Sequence, residues 1–211
     1  LDIRIEVSMA PSPMDVIEKA LASRVRKTVA GASLTPAAVM LLLYPRNGEY
    51  CILLNKRSQE VEHHKGEISF PGGARDPEDR DSLDTALRET EEEMGILRGD
   101  VKVLGQLDDV TTRTGFVVNV YVGTIAYPYP FKPSAMEIAE VLEAPMSILR
   151  DPASIRVETR WQDGQTEESY SYAYDGHLIY GATARILQQF LDVVPAELLD
   201  VLDNGTAAQG D

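Results

Sequence analysis

The stretch "RETEEEMGI" (residues 88–96) puts four carboxylates into five consecutive positions, 89–93, with one arginine beside them. Asp81 or Ser82 can cap a helix at its front and Gly95 can end it, so the spacing predicts a helix from about 82 to 94. At 100° per residue Leu83, Ala86, Leu87, Thr90 and Met94 share one side, the core side. Like charges three and four apart on a helix repel by a few tenths of a kcal/mol per pair. Glu89, Glu92 and Glu93 fall within an arc of about 100° next to the core side. A hard divalent cation, Mg²⁺ or Mn²⁺, takes oxygen ligands and would turn this repulsion into attraction. Glu91 points to the other flank and is expected in solvent. Arg88, four residues before Glu92, can hold it through an i, i+4 pair.

The rest of the chain frames this helix. The pattern 15–29 reads as a packing helix with Val16, Ile17, Ala20, Leu21 and Val25 on one stripe. "AAVMLLLY" (37–44) and "YCILLNKR" (50–57) flank the Asn47-Gly48 turn dipeptide and read as a hairpin of well-covered strands. Phe70-Pro71-Gly72-Gly73 marks a loop of forced backbone shape before the acidic helix. Further strands are expected at 101–107, 116–126 and 138–142. A second hairpin is expected from "SIRVETRW" and "ESYSYAYD", a closing helix from "GATARILQQFLDVV", and a disordered tail over 204–211. The organisation expected is an N-terminal helical extension, 1–34, packed on one domain, 35–203.

Composition limits the functions this fold can serve. With 211 residues, 44% of them apolar, the chain can bury a substantial core. A net charge of −14 argues against nucleic acid or a membrane surface as partner. A polyanionic small molecule would need a local basic patch or a metal ion. The one cysteine, Cys51, allows no intrachain disulfide, and no apolar run approaches the roughly 18 residues of a membrane span. Neither does the start read as a signal peptide, so the expected location is the cytoplasm.

The stretch from Gly73 to Ile96 resembles the Nudix box, G-x5-E-x7-R-E-U-x-E-E-x-G-U, where U is bulky and apolar. Its second half matches from Arg88 through Glu89, Glu92 and Glu93 to Gly95 and Ile96, with Thr90 in an apolar position. In the first half Asp79 stands where the pattern has glutamate, and eight residues rather than seven separate it from Arg88. Upstream, Leu53 to Gly73 resembles the motif of the coenzyme A pyrophosphatase branch, L-L-T-x-R-[SA]-x3-R-x3-G-x3-F-P-G-G. Leu53, Leu54, Arg57, Ser58, Gly66, Phe70, Pro71, Gly72 and Gly73 are in register, while Asn55 replaces threonine and Glu62 replaces the second arginine.

The resemblance implies an α/β fold, a mixed sheet sandwiched between helices with a loop-helix-loop motif on one side. It implies metal held by Glu89, Glu92, Glu93 and the carbonyl of Gly73, with Arg88 and Glu92 among the catalytic groups. Arg57, Lys56, Lys65, Gly72 and Phe70 are the expected substrate contacts. His63 and His64 join the same cationic patch, more readily as solvated loop residues than as ligands. If the helix glutamates are all engaged with metal, each is a poorer base. The water's proton would then go to a carboxylate on another segment, Glu140 first and Glu137 second. The tyrosines of "YPYPF" (127–131) could face a substrate or simply pack. The activity implied is hydrolysis of the pyrophosphate bond of coenzyme A or a derivative, giving 4′-phosphopantetheine and 3′,5′-ADP. The alternatives are another nucleoside diphosphate derivative (ADP-ribose, a dinucleotide polyphosphate or a nucleoside triphosphate) or a Nudix-like sensor that binds without hydrolysing.

Overall fold

A computed structural model of the chain describes residues 11–31, 33–60, 65–162 and 165–204. Glu62, His63 and His64 lie outside the described residues, as does the tail from 205 onward.

Helix α1 (Pro13–Ala22) starts with a capping box: Ser12 Oγ accepts from Asp15 N–H, and the Asp15 carboxylate accepts from Ser12 N–H. It ends at Ser23, well short of residue 29. The cause is a pair of downstream carboxylates that pull the chain straight. Arg24 pairs with Asp108 at 2.5 Å, and the Lys27 and Val29 N–H groups donate to Asp108 and Asp109 at 2.9 Å each. Val25, expected on the buried stripe, is left 92% exposed, while Ile17 and Leu21 are buried.

Strands β1 (Thr35–Arg46) and β2 (Glu49–Arg57) form the expected hairpin, with Asn47 and Gly48 both at positive φ (52° and 90°) in its two-residue turn. They pair only near that turn, from Leu43↔Ile52 to Arg46↔Glu49, and then part. The fork is filled by β3 (Ile68–Ser69), which pairs with β2, and β4 (Gly72–Ala74), which pairs with β1. Helix α2 (Ser82–Met94) packs on β1 and β4. It begins at Asp81, whose side chain accepts from Asp84 N–H, and ends at Gly95 with φ 69°.

The sheet is completed by β5 (Lys102–Gln106), β6 (Val110–Thr111), β7 (Phe116–Thr124) and β8 (Ile138–Pro145). Among the described residues it has eight strands and is mixed: β7 runs parallel to β1, and β8 antiparallel to β2. After the short helix α3 (Met146–Arg150), strands β9 (Ile155–Gln162), β10 (Gln165–Tyr174) and β11 (His177–Ile179) make a separate three-stranded antiparallel sheet. Helices α4 (Gly181–Val193) and α5 (Ala196–Asn204) follow.

Alternation along β2 divides the core in two. Cys51 and Leu53 face Ala86 and Met94 of α2, whereas Ile52 and Leu54 face the other layer with Ile17 of α1, Phe190 of α4 and Leu202 of α5.

Candidate active site

Two buried arginine–carboxylate arrangements hold α2 against the fork. In the first, Asp79 accepts from Arg88 Nε at 2.8 Å and Nη2 at 3.0 Å, from Asp76 N–H at 2.9 Å and from the Thr85 hydroxyl at 2.8 Å. The Arg88 hydrogen bonds hold the Asp79 carboxyl well below the usual range. Asp79 is thus an anchor between the loop and the helix. Arg88 also donates through Nη1 to Glu89 at 2.8 Å and to Glu92 at 2.9 Å, so the i, i+4 pair read from spacing is present.

In the second, Glu93 is 1% exposed against β2 and β4. Its Oε2 accepts from Asn55 Nδ2 at 3.0 Å and from Gly72 N–H at 3.1 Å, and its Oε1 from Arg57 Nη1 at 3.1 Å. Burial pushes the Glu93 carboxyl up to about 7, despite Gly72 N–H and Arg57, and the charge of Glu89 adds to the rise. Glu89 is raised too, first by burial and also by the charges of Glu92 and Glu137. Gly73 lies directly under this group: a Cβ there would sit 2.5 Å from the Glu89 carboxyl carbon. The three carboxylates thus run from interior to solvent. Glu89 is half-buried and Glu92 exposed.

The expected substrate contacts fare unevenly. Phe70 is buried in the core and Gly72 spends its N–H on Glu93, so both shape the scaffold. A side chain at Gly72 would collide with Ala38 O and Val39 at a φ of 153°. Lys56 and Arg57, read together as one patch, diverge because neighbours on a strand point to opposite faces. Arg57 reaches Glu93 on the α2 side. Lys56 lies 3.7 Å from Glu140, its cross-strand partner, and Glu140 lies 3.1 Å from His177 Nε2 of β11. Glu140, first choice as base, is therefore on the face away from Glu93. Glu137 is the carboxylate whose charge reaches Glu89, beside the Ser134 hydroxyl at 3.5 Å. Lys65 is exposed. Glu91, on the outer flank, meets Arg98 at 3.3 Å rather than solvent alone. The "YPYPF" rings pack: Tyr127 stacks on Tyr44 at 5.2 Å and Phe131 lies against Tyr129. Sequence reasoning missed Asn55 as a partner of Glu93, although its place on the Leu53 side of β2 was the available signal.

Residues 34–135 match the model of the NUDIX domain. The chain is 36% identical over 143 residues to a Nudix hydrolase called NudL from Photorhabdus laumondii, covering 68% of this chain and 76% of the relative. The chain belongs to the Nudix hydrolases. A NudL from Yersinia enterocolitica is 34% identical over 163 residues, 75% of this chain and 80% of that one. In fold, the chain is similar to a MutT/nudix family protein from Enterococcus faecalis, with a TM-score of 0.52, 16% identity, and coverage of 92% of this chain and 81% of that one.

Nudix hydrolases generally use divalent cations such as Mg²⁺ or Mn²⁺. Among the described residues no three Asp, Glu, His or Cys side chains are already arranged to hold a metal ion, and Arg57 and Arg88 contact carboxylate oxygens of Glu93, Glu89 and Glu92. The donor chemistry nevertheless fits such an ion. It is all oxygen, and Glu89 and Glu93 are carboxylates that burial and mutual repulsion leave short of positive charge. Mg²⁺ needs few protein ligands because it keeps waters and substrate oxygens.

Proposed function

We propose that this Nudix pyrophosphohydrolase cleaves the pyrophosphate bond of coenzyme A or one of its derivatives, with Mg²⁺ or Mn²⁺, giving 4′-phosphopantetheine and 3′,5′-ADP. The observation that carries the hydrolytic reading is Glu93, a carboxylate buried beside Glu89 whose oxygens face donors yet whose affinity for a proton is raised. The substrate class rests on the match of Leu53 to Gly73 to the coenzyme A motif. A second reading, another nucleoside diphosphate derivative, draws support from two facts: Phe70 and Gly72 serve the scaffold, and Glu62 takes the place of the motif's second arginine.

In this reading Glu89, Glu92, Glu93 and the Gly73 carbonyl would hold the metal, which supplies charge neutralisation and a water of lowered pKa. Arg88, fixed by Asp79, keeps Glu89 and Glu92 aligned. Arg57, at the rim of Glu93, is placed to meet a phosphate. Glu137 takes the water's proton, since Glu140 lies on the other face. A hydrolysis screen over coenzyme A, ADP-ribose, dinucleotide polyphosphates and nucleoside triphosphates, with Mg²⁺ or excess EDTA, tests the assignment. Preference for coenzyme A is expected. Preference for ADP-ribose would replace the substrate class, and full turnover in EDTA would remove the metal from the mechanism. Glu137→Gln should lower kcat strongly and Glu140→Gln little.

A further inference from the structure

Asn55 is fully buried near the end of β2, on the α2 side of the sheet. It bridges two groups: Ser69 Oγ lies 2.7 Å from its Oδ1, and its Nδ2 lies 3.0 Å from Glu93 Oε2. An ionised carboxylate can only accept, so the amide nitrogen must face Glu93 and the amide oxygen must face Ser69. The Ser69 hydroxyl is then the donor, and its position on β3, paired with Asn55 across the ladder, holds the amide in that sense. With Gly72 N–H as second donor, Oε2 is enclosed by protein on both sides. Among the described residues Oε1 meets only Arg57, whose side chain reaches solvent.

We infer that Asn55, oriented by Ser69, is a positioning residue that pins Oε2 of Glu93 and so presents Oε1 as the oxygen this side chain offers to the divalent cation. The inference rests on the cation-dependent reading above. Groups that orient a ligand from behind typically change metal affinity 10- to 100-fold when removed. A purely architectural asparagine would instead change thermal stability and leave metal affinity alone.

The test is Mn²⁺ binding to the full chain without substrate, followed by electron paramagnetic resonance, with melting temperatures measured in parallel. Asn55→Leu should weaken Mn²⁺ binding by about tenfold or more. Ser69→Ala, which leaves Asn55 in place but frees its amide, should weaken it a few-fold and leave KM for substrate unchanged. A folded Asn55→Leu protein that binds Mn²⁺ as the parent does would overturn the inference and leave the cation reading standing. If Asn55→Leu does not fold, unchanged Mn²⁺ affinity in Ser69→Ala overturns it alone. A parent protein that binds no Mn²⁺ would overturn the cation reading, and this inference with it.

Discussion

Asp79 and Glu93 are both buried carboxylates, each with an arginine beside it, and they have been driven in opposite directions. Asp79 receives two short donations from one guanidinium, plus a hydroxyl and a backbone N–H, under its own loop. Glu93 receives one guanidinium contact, an amide and a backbone N–H, deep against the sheet. Two-pronged arginine contacts are stronger and better oriented than single ones. The first carboxylate is therefore a satisfied anion that builds structure. The second is an anion still short of charge, and it stands where a cation would be useful.

The sharpest way to break this contrast is Glu93→Gln. It should reduce kcat by about 10³, equal to ~4 kcal/mol of transition-state stabilisation, without lowering the melting temperature at pH 8. The change removes a carboxylate that burial makes costly to ionise, which offsets the loss of the Arg57 contact. Asp79→Asn should do the reverse: a loss of about 3 kcal/mol in urea unfolding, since Arg88 loses its main partner, with a far smaller change in kcat.

Next comes pH. The folded Glu93 carboxyl lies at about 7, above its ordinary value of 4.5, so between those values the native state holds more protons than the unfolded one. Stability of the metal-free protein should then fall by roughly 3 kcal/mol as pH rises from 4.5 to 7, and Mn²⁺ should restore it at pH 8. Asp79 has the opposite sign. Its folded pKa is depressed, so its stabilisation is present above about pH 4 and lost as pH falls below that. Urea midpoints across this range, in parent and both variants, should show each slope vanish with its own residue. The smallest effect belongs to Glu91→Gln, which breaks only the exposed pair with Arg98. A stability change under about 0.5 kcal/mol with unchanged turnover would complete the contrast.

Much of this arrangement could be read from the sequence where local chemistry governs. Asp81 and Gly95 bound α2, and Asn47-Gly48 turns the first hairpin, because caps and tight turns depend on neighbouring residues. Depth was not legible. A helical wheel gives Glu93 a direction, but only the fork between β1 and β2 decides that it lies inside. The division of Lys56 from Arg57 was available in strand alternation, and it puts Lys56 beside Glu140 and Arg57 beside Glu93. The end of α1 depended on Asp108 and Asp109, too far along the chain for local periodicity to register. Helix α5 went unassigned although Leu198 and Leu202 carry its buried side at i, i+4.

The parallel pairing of β1 with β7, from Thr35↔Phe116 to Leu43↔Thr124, has a consequence for synthesis. Parallel pairing between distant segments must wait for the intervening chain. On the ribosome the first hairpin, the fork and the whole acidic helix emerge before the strand that covers the far edge of β1. Nascent chains stopped before Phe116 would therefore expose an apolar strand edge, a surface on which chaperones act and aggregates start. The acidic helix made during that interval supplies most of the net negative charge that the unfinished chain carries.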